Sequence, residues 1–197
     1  MSTQARLILV TGGARSGKSR FAQQRAEQAA RETGGKVLFL ATAEESDDEM
    51  TARISRHRQD RPADWITIET PLEAATHLAV HGNEVAFVLL DCLTLFVSNH
   101  LLAAGDVPAE EVEAAVDQAI AALLAAARSG SATVLIVTNE VGMGLHPMSA
   151  LGRLFQDIAG RANQQVAAAA DEVVFLVSGL PLVLKSSIPD REKPDLR

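Results

Sequence analysis

The stretch LILVTGGARSGKS, residues 7–19, joins a short apolar run to a glycine-rich loop. The loop fits the pattern G-x-x-x-x-G-K-[ST], with Gly12 and Gly17 as the fixed glycines and Lys18 and Ser19 at its end. The apolar run predicts a strand, and the residues after the loop carry apolar and small side chains at helical spacing. A strand, a phosphate-binding loop and a helix in this order predict a P-loop nucleotide-binding α/β fold.

Each residue type in this loop has a physical role in holding phosphates. Glycines permit backbone turns that a Cβ atom would forbid, and they let several N–H groups point at one anion at the positive end of the following helix. Lys18 is expected to reach the β- and γ-phosphates, and the hydroxyl of Ser19 is expected to bind Mg²⁺. The alternative is a glycine-rich turn that binds nothing, which the Lys-Ser pair and the flanking elements disfavour.

Composition limits the class of protein. A chain of 197 residues with 47% hydrophobic residues is large enough for one folded domain with a sizeable core. The net charge of −7 argues against broad affinity for nucleic acid. Because no apolar run approaches the ~20 residues that span a membrane, we expect no membrane span. The N-terminus lacks a signal-peptide pattern and the chain has one cysteine, so we expect a cytoplasmic protein without an internal disulfide.

Five apolar runs, including the one before the glycine-rich loop, resemble buried strands of a mostly parallel sheet. Near-continuous apolar runs are typical of strands covered on both faces, whereas an alternating pattern indicates an edge strand. Apolar runs occupy residues 7–11, 36–41, 86–91, 133–138 and 172–177, an alternating segment occupies 64–69, and helices are predicted at 18–32, 109–128 and 162–170. We expect one catalytic domain over residues 1–187, with a last strand near 180–187 and a loose tail over 188–197.

An acidic residue at the end of a strand is the expected partner of the loop in binding Mg²⁺. Asp91 ends the apolar run FVLLD and is the candidate. The alternative is an ordinary strand-end carboxylate that caps the next turn. Cys92, beside it, is interpreted as a small buried hydrophobic residue.

A basic helix end surrounds one histidine. Ser46 and Glu49 form a capping box at the start of a predicted helix, and arginines crowd its last turn. His57 stands among these arginines, which disfavour the imidazolium and favour the neutral, nucleophilic ring. From the chemistry alone, a solvated basic helix end with an incidental histidine is the better interpretation.

The segment VTNEVGMG, residues 137–144, ends a strand in a glycine-containing loop. A substrate could sit there with Asn139 and Glu140 facing it, and an ordinary strand-to-loop connection is about equally consistent with the pattern. The segment lacks the Lys and Asp of the guanine-reading Asn-Lys-x-Asp motif, so it does not predict a base preference.

Five segments in this order resemble one family. ILVTGGARSGKS, DDEMTARISRHRQDRP, LLDCLT, VTNEVGMG and DIAGRANQQVAAAADEV are similar to the bifunctional adenosylcobinamide kinase / adenosylcobinamide-phosphate guanylyltransferase family of cobalamin synthesis. The similarity covers roughly residues 7–179. Five blocks in register are far more specific than a P-loop alone.

The resemblance implies a RecA-like P-loop fold, a homo-oligomer that is a trimer in the family, and two reactions. In the first, the hydroxyl of adenosylcobinamide takes the γ-phosphoryl group of ATP or GTP. In the second, GTP transfers GMP to an enzyme histidine, and adenosylcobinamide phosphate displaces it to give adenosylcobinamide-GDP. The position that matches the guanylylated histidine is His57, which we therefore expect to be catalytic together with Lys18.

The resemblance also implies the set of residues around the nucleotide. Family members often carry Glu at the position of Asp91, whose shorter side chain could hold the metal through a water. The expected phosphate cradle is Gly12, Gly13, Ala14, Arg15, Ser16, Gly17, Lys18 and Ser19; Ala41, Thr42 and Ala43 line the site; and Arg58, Gln59, Asp60, Arg61, Glu69 and Asp91 complete the contacts to GTP. Two rival functions use the same loop: a small-molecule kinase without a covalent step, and a non-catalytic GTP-binding switch.

Overall fold

The computed structural model describes residues 6–44 and 61–187, which form one β-sheet with helices on both faces. The strands are β1 (Leu7–Gly12), β2 (Val37–Ala41), β3 (Ile66–Glu69), β4 (Phe87–Asp91), β5 (Thr133–Val137), β6 (Glu172–Val177) and β7 (Leu180–Ser186). The helices are α1 (Lys18–Thr33), α2 (Ala74–His81), α3 (Leu93–Ala103), α4 (Ala109–Ser129) and α5 (Ala150–Ala169).

The strand order across the sheet is β3-β2-β4-β5-β1-β6-β7. The first six strands are parallel, and β7 pairs with β6 in the antiparallel direction. All carboxyl ends of the parallel strands therefore lie along one edge of the sheet, where α/β proteins bind their ligands. The predicted fold class, a P-loop NTPase with a mostly parallel central sheet flanked by helices, is confirmed.

Alternate residues of the central strands enter two separate cores. Leu7 and Leu9 of β1 pack on the face covered by α2, α3, α4 and α5. Ile8 and Val10 pack on the opposite face, against Ala22 and other small residues of α1. Both faces of β1 are buried, which explains why its sequence is a continuous apolar run rather than an alternating one.

The predicted strands are confirmed, and the helices need two corrections. The alternating segment 64–69 contains β3 at one edge of the sheet, and residues 180–187 contain β7 at the other. Helix α5 begins at Ala150, before the alanine-rich segment from residue 162 that was predicted as a helix. The prediction missed the first half of the helix because that half is less rich in alanine, although it is still amphipathic. Helices α2 and α3 were not predicted as elements; the sequence of α3, LTLFVSNHLLA, is apolar on most sides, so periodicity gives little signal there.

A buried ion pair ties the helix after the glycine-rich loop to the sheet. Glu172, at the start of β6, is 6% exposed and accepts a hydrogen bond from Arg25 of α1, with 3.0 Å between Arg25 Nη1 and Glu172 Oε1. Arg6 pairs with the same carboxylate. Burial lowers the pKa of the Arg25 guanidinium, with the nearby positive charge of Arg6 as the smaller cause. The cluster fixes α1 against the strand that neighbours β1.

Two predicted segments lie beyond the described residues, and the expectation about membrane spans is compared with the described residues alone. The helix predicted from Ser46 onwards and the tail over residues 188–197 lie outside the described residues. Within residues 6–44 and 61–187, no helix has the combination of length and apolarity that crossing a membrane requires.

Candidate active site

The glycine-rich loop folds as a tight turn between β1 and α1. Gly12 has φ +149° and Gly17 has φ +97°, backbone conformations that residues with a Cβ atom rarely adopt. A Cβ atom at Gly12 would lie 2.5 Å from Leu176 O, and one at Gly17 would lie 3.2 Å from Gly179 Cα. Glycine is therefore required at both positions for two reasons: the dihedral angles are positive, and the chain around residues 176–179 leaves little room for a Cβ atom.

Lys18 turns its side chain back into the loop. It is 6% exposed, and its Nζ donates hydrogen bonds to Gly13 O at 2.5 Å and to Ser16 Oγ at 3.4 Å. Gly13, Ala14 and Arg15 form the exposed outer part of the turn. The ammonium group is thus held where the predicted phosphates would enter the loop.

The start of α1 is built to face an anion. Gly17 occupies the cap position without a side-chain cap, and the first turn contains no acidic residue. The first backbone N–H groups of a helix lack partners inside the helix, and they carry the positive end of its dipole. An anionic ligand in the loop would satisfy these groups, as in other phosphate-binding helix ends.

The neighbouring strand ends bring three predicted residues to the same edge of the sheet. Ala41 of β2 lies in register with Glu69 of β3 on one side and with Asp91 of β4 on the other. Strand β5 separates β4 from β1, so Asp91 is two strands from the phosphate loop, a distance of about 10 Å. Ser19 is the second residue of α1, the helix that follows the phosphate loop.

The alternative role for Asp91, a cap on the next helix, finds no support in the contacts. Helix α3 has Cys92 at its cap position and no side-chain hydrogen bond there. Among the described residues, the Asp91 carboxylate accepts no hydrogen bond. It is half-buried, while Cys92 beside it is 6% exposed, as expected for a small buried hydrophobic residue. Burial, and secondarily the charge of Asp91, raises the pKa of the Cys92 thiol to about 12.

Thr42 joins the ends of β2 and β4. Its hydroxyl donates to Cys92 O and accepts from Cys92 N, each at 2.7 Å. Its backbone N–H donates to Asp91 O at 3.2 Å, and its carbonyl accepts from Asn99 Nδ2 at 2.8 Å. Every polar group of Thr42 therefore has a protein partner, and Ala41 and Ala43 are its neighbours along the predicted wall of the nucleotide site.

Two residues predicted to contact GTP contact each other. Arg61 Nη1 lies 3.7 Å from Glu69 Oε1, and the guanidinium carbon lies 3.8 Å from the centre of the Phe39 ring. The ring of Trp65 stacks on Phe39 at 6.2 Å between centroids. The Arg61 guanidinium is therefore oriented by a cation–π contact with Phe39 and by its acidic partner Glu69.

The loop after β5 is attached to the phosphate loop. Glu140 N donates to Gly12 O at 3.0 Å, and Asn139 N donates to Thr94 Oγ1 at 2.7 Å. The pattern VTNEVGMG thus does meet the phosphate loop, through its backbone. The side chains of Asn139 and Glu140 are not its points of attachment.

A buried set of polar side chains behind this loop was not predicted. Thr94 Oγ1 lies 3.1 Å from Thr138 Oγ1, which donates to Asn163 Oδ1 at 2.7 Å, and Asn163 Nδ2 donates to Asn139 O at 3.1 Å. These contacts connect α3, β5 and α5. The available signal was a threonine directly after β5, a threonine three residues after the end of β4 and an asparagine on the buried face of an alanine-rich helix, all within the segments that carry the family resemblance.

The remaining predicted residues lie outside this geometry. His57, Arg58, Gln59 and Asp60 fall outside the described residues, so the expected nucleophile and its neighbours stay predictions.

The described oxygen ligands are compatible with Mg²⁺. No group of three or more His, Cys, Asp or Glu side chains within residues 6–44 and 61–187 could hold a metal ion by itself. Mg²⁺ usually keeps several waters and is bound through one or two protein oxygens together with substrate phosphates. The Ser19 hydroxyl and the Asp91 carboxylate at one edge of the sheet fit that donor set.

Comparisons with known proteins agree on one family. The sequence profile described as "Cobinamide kinase / cobinamide phosphate guanyltransferase" matches residues 8–184. The Bifunctional adenosylcobalamin biosynthesis protein CobU of Escherichia coli (strain K12) is 48% identical over 187 residues, covering 91% of this chain and 99% of that protein. The protein of the same name from Salmonella typhimurium is 45% identical, with the same coverage of both chains.

More distant comparisons extend this result. The Bifunctional adenosylcobalamin biosynthesis protein CobP of Pseudomonas aeruginosa is 41% identical over 90% of this chain and 96% of its own. The crystal structure of the flagellar accessory protein FlaH from Methanocaldococcus jannaschii superposes with a TM-score of 0.54 at 13% identity, over 93% of this chain and 80% of that one. The structural likeness shows the fold alone. On the sequence matches, the chain belongs to the cobinamide kinase / cobinamide phosphate guanyltransferase family.

Proposed function

We propose that this chain catalyses both reactions of its family at one nucleotide site. It phosphorylates adenosylcobinamide with ATP or GTP, and it then transfers GMP from GTP to the product to give adenosylcobinamide-GDP. The observation that carries the proposal is the buried Lys18 ammonium, 2.5 Å from Gly13 O, in a loop that shares its sheet edge with Asp91 and Glu69. Family membership supplies the substrates.

The kinase step requires positioning and charge neutralisation. The substrate hydroxyl oxygen attacks the γ-phosphorus, the bond from this phosphorus to the β,γ-bridging oxygen breaks, and the hydroxyl proton is released. Negative charge builds on the bridging and terminal oxygens as the bond breaks. Lys18 and the N–H groups at the start of α1 donate to these oxygens in the proposed complex. The loop is preorganised for this by its internal hydrogen bonds.

The guanylyl step requires a nucleophile that later leaves. A nitrogen of the His57 imidazole attacks the α-phosphorus of GTP, pyrophosphate leaves, and a phosphoramidate forms. A phosphate oxygen of adenosylcobinamide phosphate then attacks this phosphorus, and the imidazole leaves. Arg58 and Arg61 are proposed to neutralise the triphosphate during the attack. The guanidinium of Arg61 packs on the ring of Phe39 and forms an ion pair with Glu69. These two contacts keep Arg61 oriented before GTP binds.

Mg²⁺ belongs to the same proposal. Ser19 and Asp91 would hold the ion or its waters together with the phosphate oxygens. When bound, Mg²⁺ supplies positive charge that neutralises the phosphate oxygens. Asp91 is suited to this role because its carboxylate is half-buried and accepts no hydrogen bond from a described residue.

The experiment compares wild type with His57→Asn, using GTP labelled at the α-phosphorus. Wild type is expected to carry an acid-labile, alkali-stable label on the protein, because a phosphoramidate has that stability. The variant is expected to carry none, yet to convert adenosylcobinamide to its phosphate, since γ-phosphoryl transfer needs the loop and not the imidazole. His77→Asn, on α2 and not among the predicted site residues, is the matched control and should label like wild type.

Each contrary result identifies a different error. Kinase activity without any protein label in wild type would identify a small-molecule kinase with no covalent step. Nucleotide binding without turnover in the presence of adenosylcobinamide would identify a GTP-binding switch. Undiminished formation of adenosylcobinamide-GDP by His57→Asn would exclude His57 as the nucleophile.

We also propose that the protein acts in the cytoplasm, where ATP and GTP are available. We propose further that it forms a homo-oligomer, with a trimer as the expected state. One face of β7 exposes an apolar row: Leu180 is 73%, Leu182 is 56% and Leu184 is 60% exposed. Contiguous exposed apolar rows are typical of surfaces that a second chain covers. Sedimentation of wild type and of Leu182→Lys tests this assignment, because a charge within an interface should dissociate the oligomer, whereas two monomeric samples would contradict it.

A further inference from the structure

A polar cleft of about 620 Å³ lies between α4, α5 and the loop after β5, and it has no role in nucleotide binding so far. Glu113 of α4 forms one wall, and Gln156, Asp157 and Gly160 of α5 form the other. The loop after β5 closes one end at Gly142 and Gly144. Because helices that return between parallel strands begin at the carboxyl edge of the sheet, the early residues of α4 and α5 place this cleft toward the edge that carries the nucleotide site.

A short segment of the loop after β5, residues 140–142, connects the cleft to the phosphate loop and is held in place by hydrogen bonds. Glu140 N donates to Gly12 O at 3.0 Å, and Gln156 Nε2 donates to Val141 O at 3.1 Å. Gly142, which lines the cleft, comes two residues after Glu140, a span of at most about 7 Å along the chain. Gly142, at one end of the cleft, therefore lies within about 10 Å of Gly12 at the start of the phosphate loop, a distance that a flexible substituent can cross.

The lining of the cleft suits an amide-rich cation. Gln156 and Gln164 offer carboxamides that both donate and accept, and Glu113 and Asp157 offer carboxylate acceptors. Arg161 is held by Glu113, with 2.7 Å between Arg161 Nη2 and Glu113 Oε2, so Asp157 leaves the cleft with excess negative charge. Adenosylcobinamide carries primary amides around its macrocycle and a single positive charge, since Co(III) exceeds the charges of the corrin and adenosyl ligands by one.

Apolar side chains are exposed on the loop that closes one end of the cleft. Met143 is 77%, Leu145 is 96% and Met148 is 96% exposed, all on the loop that closes it. A cluster of this kind on a loop at a polar cleft is typical of a ligand surface, and methionine adapts its shape to a flat ligand. The corrin macrocycle has broad apolar faces and a polar rim, which matches an apolar loop next to an amide-binding wall.

We propose that this cleft binds the corrin ring of the acceptor, so that the aminopropanol arm reaches across Glu140 to the γ-phosphorus held in the loop. The inference rests on the proposed function, because it names where that function's acceptor docks. Leu145 and Met148 cover a face of the macrocycle, and the amides of its rim bond to Gln156, Asp157 and Gln164. The nucleotide is bound without these residues, so acceptor and nucleotide affinity are separable.

Gly160 offers a direct way to block the cleft. A Cβ atom at Gly160 would meet no atom within 4 Å, and its φ is not in the region that requires glycine. Gly160→Phe therefore fills the cleft from one wall without a clash at its attachment point. Ala122→Phe is the matched control, because it adds similar bulk at an exposed position on the opposite side of α4 from Glu113.

The measurements are KM for adenosylcobinamide in the kinase reaction, Kd for GTP and the oligomeric state. In Gly160→Phe, KM is expected to rise by about tenfold or more, as for loss of fit in a binding pocket, with Kd for GTP unchanged. Asp157→Asn should raise KM by a smaller factor and diminish its salt dependence. Ala122→Phe should leave all three quantities unchanged.

Two results would overturn the inference. An unchanged KM in a folded Gly160→Phe variant that binds GTP normally would place the acceptor elsewhere, while turnover in wild type would leave the proposed function intact. A changed oligomeric state in Gly160→Phe, with KM restored at high protein concentration, would assign the cleft to contact with a second copy of the chain. Absence of turnover in wild type would instead contradict the proposed function itself.

Discussion

The phosphate loop and the hydroxyl network behind it are held in opposite ways. We use hydroxyl network for two sets of hydrogen bonds and their backbone partners, one that joins Thr42 to Cys92 and Asn99 and one that joins Thr94, Thr138 and Asn163. In the loop, Lys18 bonds to Gly13 and Ser16, which are five and two residues away. In the network, Thr42 bonds to Cys92 across 50 residues, and Thr94 contacts Thr138 across 44.

The two regions therefore have different roles: the loop takes part in the chemistry, and the network aligns the strand ends. The loop contributes the groups that meet phosphates. The side-chain hydrogen bonds within it are local, whereas backbone hydrogen bonds from Glu140 N and Gly179 N attach it to distant parts of the chain. The network contributes no group to the nucleotide in the proposed mechanism, yet it fixes the ends of β2, β4 and β5 against α3 and α5. Damage to the loop should therefore reduce activity with little effect on stability, and damage to the network should reduce stability first.

The largest effect is expected from Lys18→Ala. Removing one preorganised donor to a developing charge should lower the rates of both reactions by about a hundredfold or more. Kd for GTP, measured by calorimetry, should rise, and the urea midpoint should change little. Lys36→Ala, at an exposed lysine just before β2, is the control. A large fall in the urea midpoint of Lys18→Ala together with the loss of activity would contradict the proposed difference in role between the loop and the network.

Asp91→Asn tests the strand end where the two regions meet. A neutral amide is a poorer partner for hydrated Mg²⁺, so the rate should fall by about tenfold and more Mg²⁺ should be needed for half-maximal activity. Asp91→Glu, which introduces the residue that the family often carries, should retain activity. If Asn supports the wild-type rate throughout a magnesium titration, Asp91 has a structural role only, and Glu69 becomes the metal candidate.

Thr42→Val tests the network itself. The substitution conserves shape but leaves the buried N–H and C=O groups of Cys92 without the hydroxyl, which should lower the free energy of unfolding by about 1–3 kcal/mol. Urea unfolding at pH 7 measures the change. Thr42→Ser keeps the hydroxyl and should be closer to wild type. A Val variant as stable as wild type, with both rates intact, would show that the network does not align the strand ends.

The same difference explains what could be predicted from the sequence. Gly12, Gly17, Lys18 and Ser19 form a motif because the backbone angles and the Lys18 hydrogen bonds that the loop needs are local. Continuous apolar runs locate the strands because both faces of the sheet are covered. The partners of Thr42 are distant in sequence, and no local pattern pairs them. Family resemblance indicated Thr42 as part of the nucleotide wall, and only the fold shows that its polar groups are engaged by the protein.

The smallest effect is expected at His100, next to the network residue Asn99 on α3. Its Nε2 is buried without a hydrogen-bond partner among the described residues, and its ring packs edge-on against Phe96 at 4.5 Å between centroids. Burial lowers the pKa of His100 from the ordinary value of 6.5, an effect that a hydrogen bond to the backbone of Leu72 partly opposes. The folded state therefore favours the neutral ring.

The sign of the pH effect follows from this preference. The unfolded chain binds the His100 proton more readily than the folded chain does, so the contribution to stability is complete above pH 6.5 and declines as the pH falls below it. His100→Phe keeps an aromatic ring against Phe96 and cannot be protonated. Between pH 7 and pH 5.5, its free energy of unfolding should fall less than that of wild type, by a difference smaller than the effect of Thr42→Val. His77→Phe controls for loss of a histidine in general, and identical pH profiles for wild type and His100→Phe would mean that α3 accommodates the charged ring without disturbing the network.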